Sequence, residues 1–420
     1  MKILLKQVQI ADPNSTYNGQ HKDILITDGT IHAIADNLSG ADELIEGEKL
    51  LVTPGWVDIF VHFNDPGFEQ KETLVSGAAA AAAGGYTHVF VLPNTKPVTD
   101  AKTQVAYLNQ KTSSLLVNIH ALGALTKAIE GNQLAEMYDM YASGAVGFTD
   151  GLLPVQSSGL LLKALQYVKA FAGVVIQLPM DRSIGEHGLI NEGIVSTRMG
   201  LPGIPAIAEE LIVARDIKLL RYADSKLHFT GVSTAKSLEY IKRGKDAGLN
   251  LSCSVTPQHL FFCDEDVCDY DTNLKVTPPL RTREDMMALR EAVATGVVDC
   301  ISSHHLPQEW DAKTCEFEYA KAGMIGLQTC YATIRTVLPD LDNNRLAELF
   351  SLNARKIFGL GDACIQVGNQ AELTLVSKEQ TTCLTKSSNL SKSSNSPFLD
   401  KILQGKVIGI INKGSLYLNK

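Results

Sequence analysis

Between residues 57 and 303, short apolar runs alternate eight times with stretches of helical periodicity. The runs fall at 57–62, 88–92, 117–122, 145–149, 174–178, 227–231, 249–255 and 298–303, and amphipathic segments at 71–83, 207–221, 235–246 and 283–295 lie between them. Thr282-Arg283-Glu284-Asp285 is close to a capping box and marks the start of the last of these helices. Eight β-α repeats over roughly 300 residues predict a (β/α)₈ barrel, an α/β fold whose active sites lie at the C-terminal ends of its strands. The spacing has one anomaly. The interval from Leu178 to Leu227 is long and holds the Gly/Pro-rich stretch 185–205, which is expected at the functional face as a lid, a partner contact or a plain insertion.

The chain outside the repeats reads as strands and turns. Residues 1–53 carry the turn signals Asp12-Pro13-Asn14 and Asp28-Gly29, and strands return at 363–367, 372–376, 406–411 and 415–418. The expected organisation is a barrel over 54–360 and a small β-sandwich domain built from both termini, 1–53 and 361–420. The Ser/Lys/Asn-rich stretch 386–396 reads as a mobile surface loop.

Composition narrows the function. With 420 residues, 45% hydrophobic and 20% charged, the chain is too apolar for a disordered one and long enough for a barrel with a satellite. A formal charge of −8 argues against non-specific nucleic-acid binding, which needs a basic face. No apolar run approaches the ~20 residues of a membrane span, and Met1-Lys2-Ile3-Leu4-Leu5-Lys6 has too short an apolar core for a signal peptide. Eight cysteines, none before residue 253 and none in a C-x-x-C pair, suit reduced thiols and a cytoplasmic location better than a disulfide framework. Buried thiols are expected at Cys263 and Cys268. The ten histidines pose the central question, whether enough of them meet to hold a metal.

The first barrel strand reads Pro54-Gly55-Trp56-Val57-Asp58-Ile59-Phe60-Val61-His62-Phe63-Asn64-Asp65-Pro66-Gly67. Period-two alternation places Val57, Ile59, Val61 and Phe63 toward the outer helices, and Asp58, Phe60, His62 and Asn64 toward the barrel axis. This segment resembles the strand-one motif of class I dihydroorotases, in the amidohydrolase superfamily. The resemblance continues almost collinearly through Lys71-Glu72-Thr73, Gly84-Gly85-Tyr86-Thr87, Pro93-Asn94-Thr95-Lys96-Pro97, Phe148-Thr149-Asp150 and Gly203-Ile204-Pro205. Later matches are Thr256-Pro257-Gln258-His259-Leu260, Pro278-Pro279-Leu280-Arg281, Lys356-Ile357-Phe358-Gly359-Leu360 and Asn395-Ser396-Pro397-Phe398. The resemblance implies a metal-containing barrel, a β-domain from both termini, and a cyclic-amide hydrolase of pyrimidine synthesis.

It also implies where a two-metal centre belongs. The family holds its metals with two strand-one histidines, an acidic bridging ligand on strand four and histidines on strands five and six. A strand-eight aspartate ligates and shuttles the proton of a metal-activated water. Carried over singly, the first histidine position is Phe60 and the second is His62, the one ligand retained. The bridging acid, second of an adjacent pair, falls on Gly151 after Asp150. The strand-five histidine position is Leu178, the strand-six position is Gly231, and the aspartate position is His304. Five of six positions are therefore changed, and catalytic zinc normally takes three protein ligands plus water. No resident cofactor is expected, with zinc only if an atypical site forms from His62, His304 and Asp150. The substrate positions differ too. An arginine that pairs with the substrate carboxylate is Asn64, which cannot make that charge-assisted contact. Asn94 is kept, while Thr277 and Gln308 replace an asparagine and a histidine.

The remaining histidines read as structural. His305 points away from its neighbour His304 on the strand and is expected to make a structural hydrogen bond. His88, His120 and His228 fit core or rim positions, and His21, His32 and His187 lie in exposed turns or loops. The leading expectation is a catalytically deficient dihydroorotase-like protein serving as a structural or regulatory partner, with aspartate transcarbamoylase the partner the resemblance suggests and a homodimer the expected state. The alternative is an active dihydroorotase, or another cyclic-amide hydrolase, using a metal set around His62 and His304.

Overall fold

The computed structural model describes residues 2–47 and 49–419. Eight parallel strands, Trp56–Val61, Tyr86–Val91, Asn118–Gly123, Gly147–Phe148, Val175–Gln177, Leu227–Phe229, Leu251–Val255 and Cys300–Ile301, follow one another in chain order around a nearly closed barrel. Backbone beyond the first and eighth strands closes it, with the His62 amide donating to the His305 carbonyl at 2.9 Å. Asp58 stitches the same seam, accepting from Ser302 Oγ at 2.7 Å and from the Ser303 amide at 2.9 Å.

The helices start where side chains can satisfy their free amides. Thr73 caps Leu74–Ala83, Thr234 caps Ala235–Asp246 and Thr282 caps Arg283–Thr295. The alanine-rich first helix lies unusually close to the barrel: a Cβ added at Gly77 would sit 2.5 Å from the Phe63 ring. Among the described residues, no helix is long and apolar enough to cross a membrane.

Simple alternation fails on the first strand. Its pairing with the second strand slips between Trp56 and Val57 and again between Asp58 and Val61. The two irregularities change the parity of the side chains. Val57 and Ile59 join Phe60, Phe90, Leu122, Ile176 and Cys300 in one apolar cluster, distinct from the layer under the helices that holds Val89, Val91, Ile119 and Val175. Asp58 instead sits at the seam, while Trp56, Val61 and Phe63 belong to the layer under the helices. Phe60 and His62 keep their expected side.

The termini form a second sheet in the order Ser415–Leu418, Ile402–Asn412, Leu373–Cys383, Leu50–Pro54, Lys2–Ile10, His21–Thr27 and Thr30–Ala35, with Glu43–Ile45 alongside Lys2–Ile10. Residues 363–367 are not a strand. The Ile365 amide donates to Asp12 and its carbonyl accepts from Ser15 Oγ, so the N-terminal turn takes the groups a ladder would use. Glu372 joins this β-rich domain to the N-terminal end of the barrel. It bonds His88 Nε2 at 2.8 Å and Thr87 Oγ1 at 2.6 Å and pairs with Arg355.

Two loop readings change. The 185–205 segment is built, with paired strands Ile190–Asn191 and Gly203–Ile204 around helix Ile194–Met199. Buried Arg281 donates to Asn191 Oδ1 and the Ile204 carbonyl, and Asn191 donates to Asp264. The 386–396 segment is fastened rather than loose, because Ser391, Ser393 and Asn395 are buried against the barrel mouth. Cys263 is buried as expected, but Cys268 is exposed; it follows a short surface 3₁₀ turn, Asp264–Val267.

Candidate active site at the barrel mouth

The positions singled out in the sequence do converge at the C-terminal end of the barrel, but their side chains are engaged with protein. His62 Nε2 bonds the Asn94 carbonyl at 2.9 Å, and its buried Nδ1 has no partner. Burial pushes its imidazole down to about 4, only partly opposed by the Asn94 carbonyl, so the ring is neutral near pH 7. His304 adopts a left-handed backbone, φ 46°, that carries its ring inward. The ring stacks on Phe60 with centroids 4.5 Å apart, and Nε2 bonds Thr230 Oγ1 at 2.7 Å. Burial, and then the neighbouring His259 and His228, lower it to about 3.

Asp150 turns away from both histidines. Its Oδ1 accepts from the Leu125 and Thr126 amides at 2.9 Å each, and its Oδ2 from Thr126 Oγ1 at 2.5 Å. Burial raises its carboxyl to about 6 in spite of these bonds. The carboxylate therefore braces the turn after the third strand.

The glycines explain why these contacts exclude the implied ligands. A Cβ at Gly231 would lie 2.6 Å from His304 Cε1 and 3.1 Å from Leu178 Cδ1. A Cβ at Gly151 would lie 1.8 Å from Asn94 Oδ1. Asn94 fills that space because its carboxamide spans the Asp150 carbonyl and the Leu152 amide. Both glycines have left-handed φ, +66° and +61°, so a side chain there is strained as well as crowded. Gly151→Asp is expected to destabilise the protein by about 1–3 kcal/mol in urea melts. A second change, Asn94→Ala, should recover part of that loss, and a Gly151→Asp protein as stable as the parent would contradict the packing described.

Of the would-be substrate positions, Gln308 is held firmly by protein partners and Asn64 only weakly. Asn64 is buried with φ 60° and gives a long 3.4 Å bond from Nδ2 to the His62 carbonyl. Gln308 accepts from Lys71 Nζ at 3.0 Å and donates to the Ala322 carbonyl at 2.8 Å. Thr277 lines a small cavity with Phe60, Leu152, Gln258, His304 and Met324. That cavity measures about 20 Å³, space for about one water molecule, against several hundred Å³ for a typical small-molecule site.

Two groups at the mouth escaped the sequence reading. Thr230 matters only because Gly231 lets His304 reach it. Buried Glu72 accepts from Ser76, Ser391, the Lys392 amide at 3.1 Å and His305 Nε2 at 3.3 Å. Burial alone would raise its carboxyl, but these donors outweigh that and hold it below the ordinary range. His305 is thus the structural residue expected, with Gly326 N donating to its Nδ1 at 3.2 Å.

Comparison with known proteins places this geometry in a lineage. The chain is 36% identical over 422 residues to a dihydroorotase of Syntrophus aciditrophicus, covering 99% of each protein. The chain belongs to the dihydroorotase family. A dihydroorotase of Caldicellulosiruptor saccharolyticus is 38% identical over 422 residues, with 99% of this chain and 98% of the relative covered. The dihydro-orotase-like family model matches residues 48–237. In fold, the L-hydantoinase of Arthrobacter aurescens superposes with a TM-score of 0.86 at 22% identity, over 100% of this chain and 96% of that one.

Against the two-metal centre that the family resemblance implies, the side chains present do not fit. Phe60, Leu178, Gly151 and Gly231 bring no donor atom, and the Nε2 atoms of His62 and His304 are both taken by protein oxygens. Among the described residues, no three His, Cys, Asp or Glu side chains are grouped to hold a metal ion.

Proposed function

We propose that this dihydroorotase-family chain has lost hydrolytic catalysis and serves pyrimidine biosynthesis in the cytoplasm as a structural or regulatory partner. The observation that carries the reading is the barrel mouth itself. Where hydrolysis of a cyclic amide needs a Lewis-acid centre and an activated water, Phe60, Leu178 and His304 pack together, and His304 is hydrogen-bonded to Thr230. His304 at the aspartate position is held neutral by burial and lacks the carboxylate through which the family's aspartate ligates metal.

Aspartate transcarbamoylase, as the enzyme acting before dihydroorotase, is the partner we propose, and a homodimer the state in which this chain meets it. A barrel kept whole while its reaction centre is filled suits a scaffold, for which the outer surface rather than the mouth is the working part. The test uses the purified full-length chain: metal content by elemental analysis, dihydroorotate hydrolysis with and without added zinc, and co-purification with the transcarbamoylase of the same organism. The expected result is substoichiometric metal, no turnover in either condition and a stable complex. Turnover with stoichiometric zinc would overturn the catalytic part and favour the atypical His62–His304 centre. Absence of a complex at micromolar concentrations would overturn the proposed partner.

A further inference from the structure

A second space lies beside the mouth. A cavity of about 260 Å³ lies between the loops after the first two barrel strands and the helix Lys102–Thr112. It shares the wall residue Leu92 with the small cavity over His304. Phe63, Val91, Leu92 and Leu108, all buried, give it apolar surface, and Tyr107 lies at its exposed side. Its size approaches the lower end of small-molecule sites, about 300 Å³.

One polar group in its lining is not satisfied by the protein. Asn64 is 1% exposed and lines this cavity. Its Nδ2 makes the long bond to the His62 carbonyl, and its Oδ1 receives no hydrogen bond from any described residue. This oxygen is not one of the fully enclosed orphan atoms among the described residues, so it opens to the cavity, where a bound donor can reach it. The nearby charges are already spent on each other. Asp65 accepts from Lys111 Nζ at 2.9 Å and from the Leu74 amide at 3.2 Å. An ionised ligand would therefore lose its hydration against apolar walls and find no free counter-charge.

From this we infer that the cavity is a binding site for a small neutral aromatic molecule carrying one O–H or N–H donor, its ring against Phe63, Leu92 and Leu108 and its donor on Asn64 Oδ1. The site lies beside the filled reaction centre and takes in Asn64, the residue at the implied substrate-arginine position, but it does not depend on whether the chain retains catalysis. Tyr107 adds an aromatic edge at the opening.

Three probes of similar size separate the terms: phenol, which has the donor; toluene, which lacks it; and benzoate, which is charged. Calorimetric titration of the full chain should show saturable phenol binding, toluene weaker by about fivefold for the lost hydrogen bond, and no benzoate binding. Asn64→Leu should bring the phenol-to-toluene ratio to about one, since only the hydrogen bond is removed. Thr103 is exposed on the helix, so Thr103→Trp should leave the fold intact while blocking the cavity, and should abolish binding of phenol and toluene alike. The inference is overturned if phenol does not saturate, if toluene or benzoate binds as tightly, or if Thr103→Trp leaves phenol binding unchanged. Should Asn64→Leu fail to fold, the Thr103→Trp result and the three-probe ranking decide the matter.

Discussion

Lowering the pH from 7.5 to 5.5 will remove on the order of 5 kcal/mol of stability, a large share of what a folded domain has. The cause is buried neutral histidine. Burial lowers His120 and His228 to about 3 and His259 to about 4, with His62 near 4 and His304 near 3 at the mouth. A histidine whose folded pKa is depressed contributes stability that is complete above its unfolded value of about 6.5 and is lost as pH falls, because the unfolded chain takes up the proton first. At pH 5.5 each such ring forfeits about 1.4 kcal/mol.

The carboxyls of Asp150 and Asp216, raised to about 6 by burial, act in the opposite sense. They gain protons in the folded state as pH falls through 6 and together offset about 1.5 kcal/mol of the loss. Urea melts at the two pH values measure the balance. A His228→Asn variant, keeping a polar group between Ser252 Oγ and Ser254 Oγ, should show a pH dependence shallower by one histidine's share. Stability that stays level or rises between pH 7.5 and 5.5 would refute the account.

Replacing Glu72 by alanine will cost about 3–5 kcal/mol, because several buried donors, His305 Nε2 among them, lose a charged acceptor at once. Both partners are almost wholly buried, Glu72 at 0% and His305 at 1% exposure. The change also strands the Ser76 and Ser391 hydroxyls and the Lys392 amide, none of which has a nearby replacement acceptor of equal charge. It should also free the segment around Ser391. Hydrogen exchange at the Lys392 amide, protected in the parent through its 3.1 Å bond to Glu72, should rise well before global unfolding. Glu72→Gln, which keeps acceptor capacity on one oxygen, should cost less. A loss too small to measure in urea melts would mean that the segment is held by its other bonds, chiefly Ser393 Oγ to the Lys71 carbonyl and Asn395 to Leu306 and Gln308.

Much of the fold was legible because it depends on local periodicity. The eight apolar runs overlap the eight barrel strands, and helices at Ala235–Asp246 and Arg283–Thr295 occupy the ranges their caps and spacing marked. The 363–367 segment misled because its β-like composition is met by side chains of the N-terminal turn instead of a neighbouring strand. The 386–396 segment misled because polar residues read as solvent-facing, whereas Ser391 and Asn395 spend their polarity on Glu72 and Gln308. Partners more than 80 residues away leave no local trace.

By itself the sequence determined the barrel and the contribution of both termini to a β-rich domain, since each follows from residue type at a known spacing. The positions where ligand atoms would be missing came only from the family resemblance. Only the tertiary structure decided what occupies those positions. The slipped pairing of the first strand sends Val57 and Ile59 inward and Asp58 to the seam. The left-handed turn at His304, together with Gly231, lets an imidazole fill a ligand's place, and Asn94 fills another above Gly151. Those outcomes rest on close contacts between chain segments far apart in sequence, which no local pattern records.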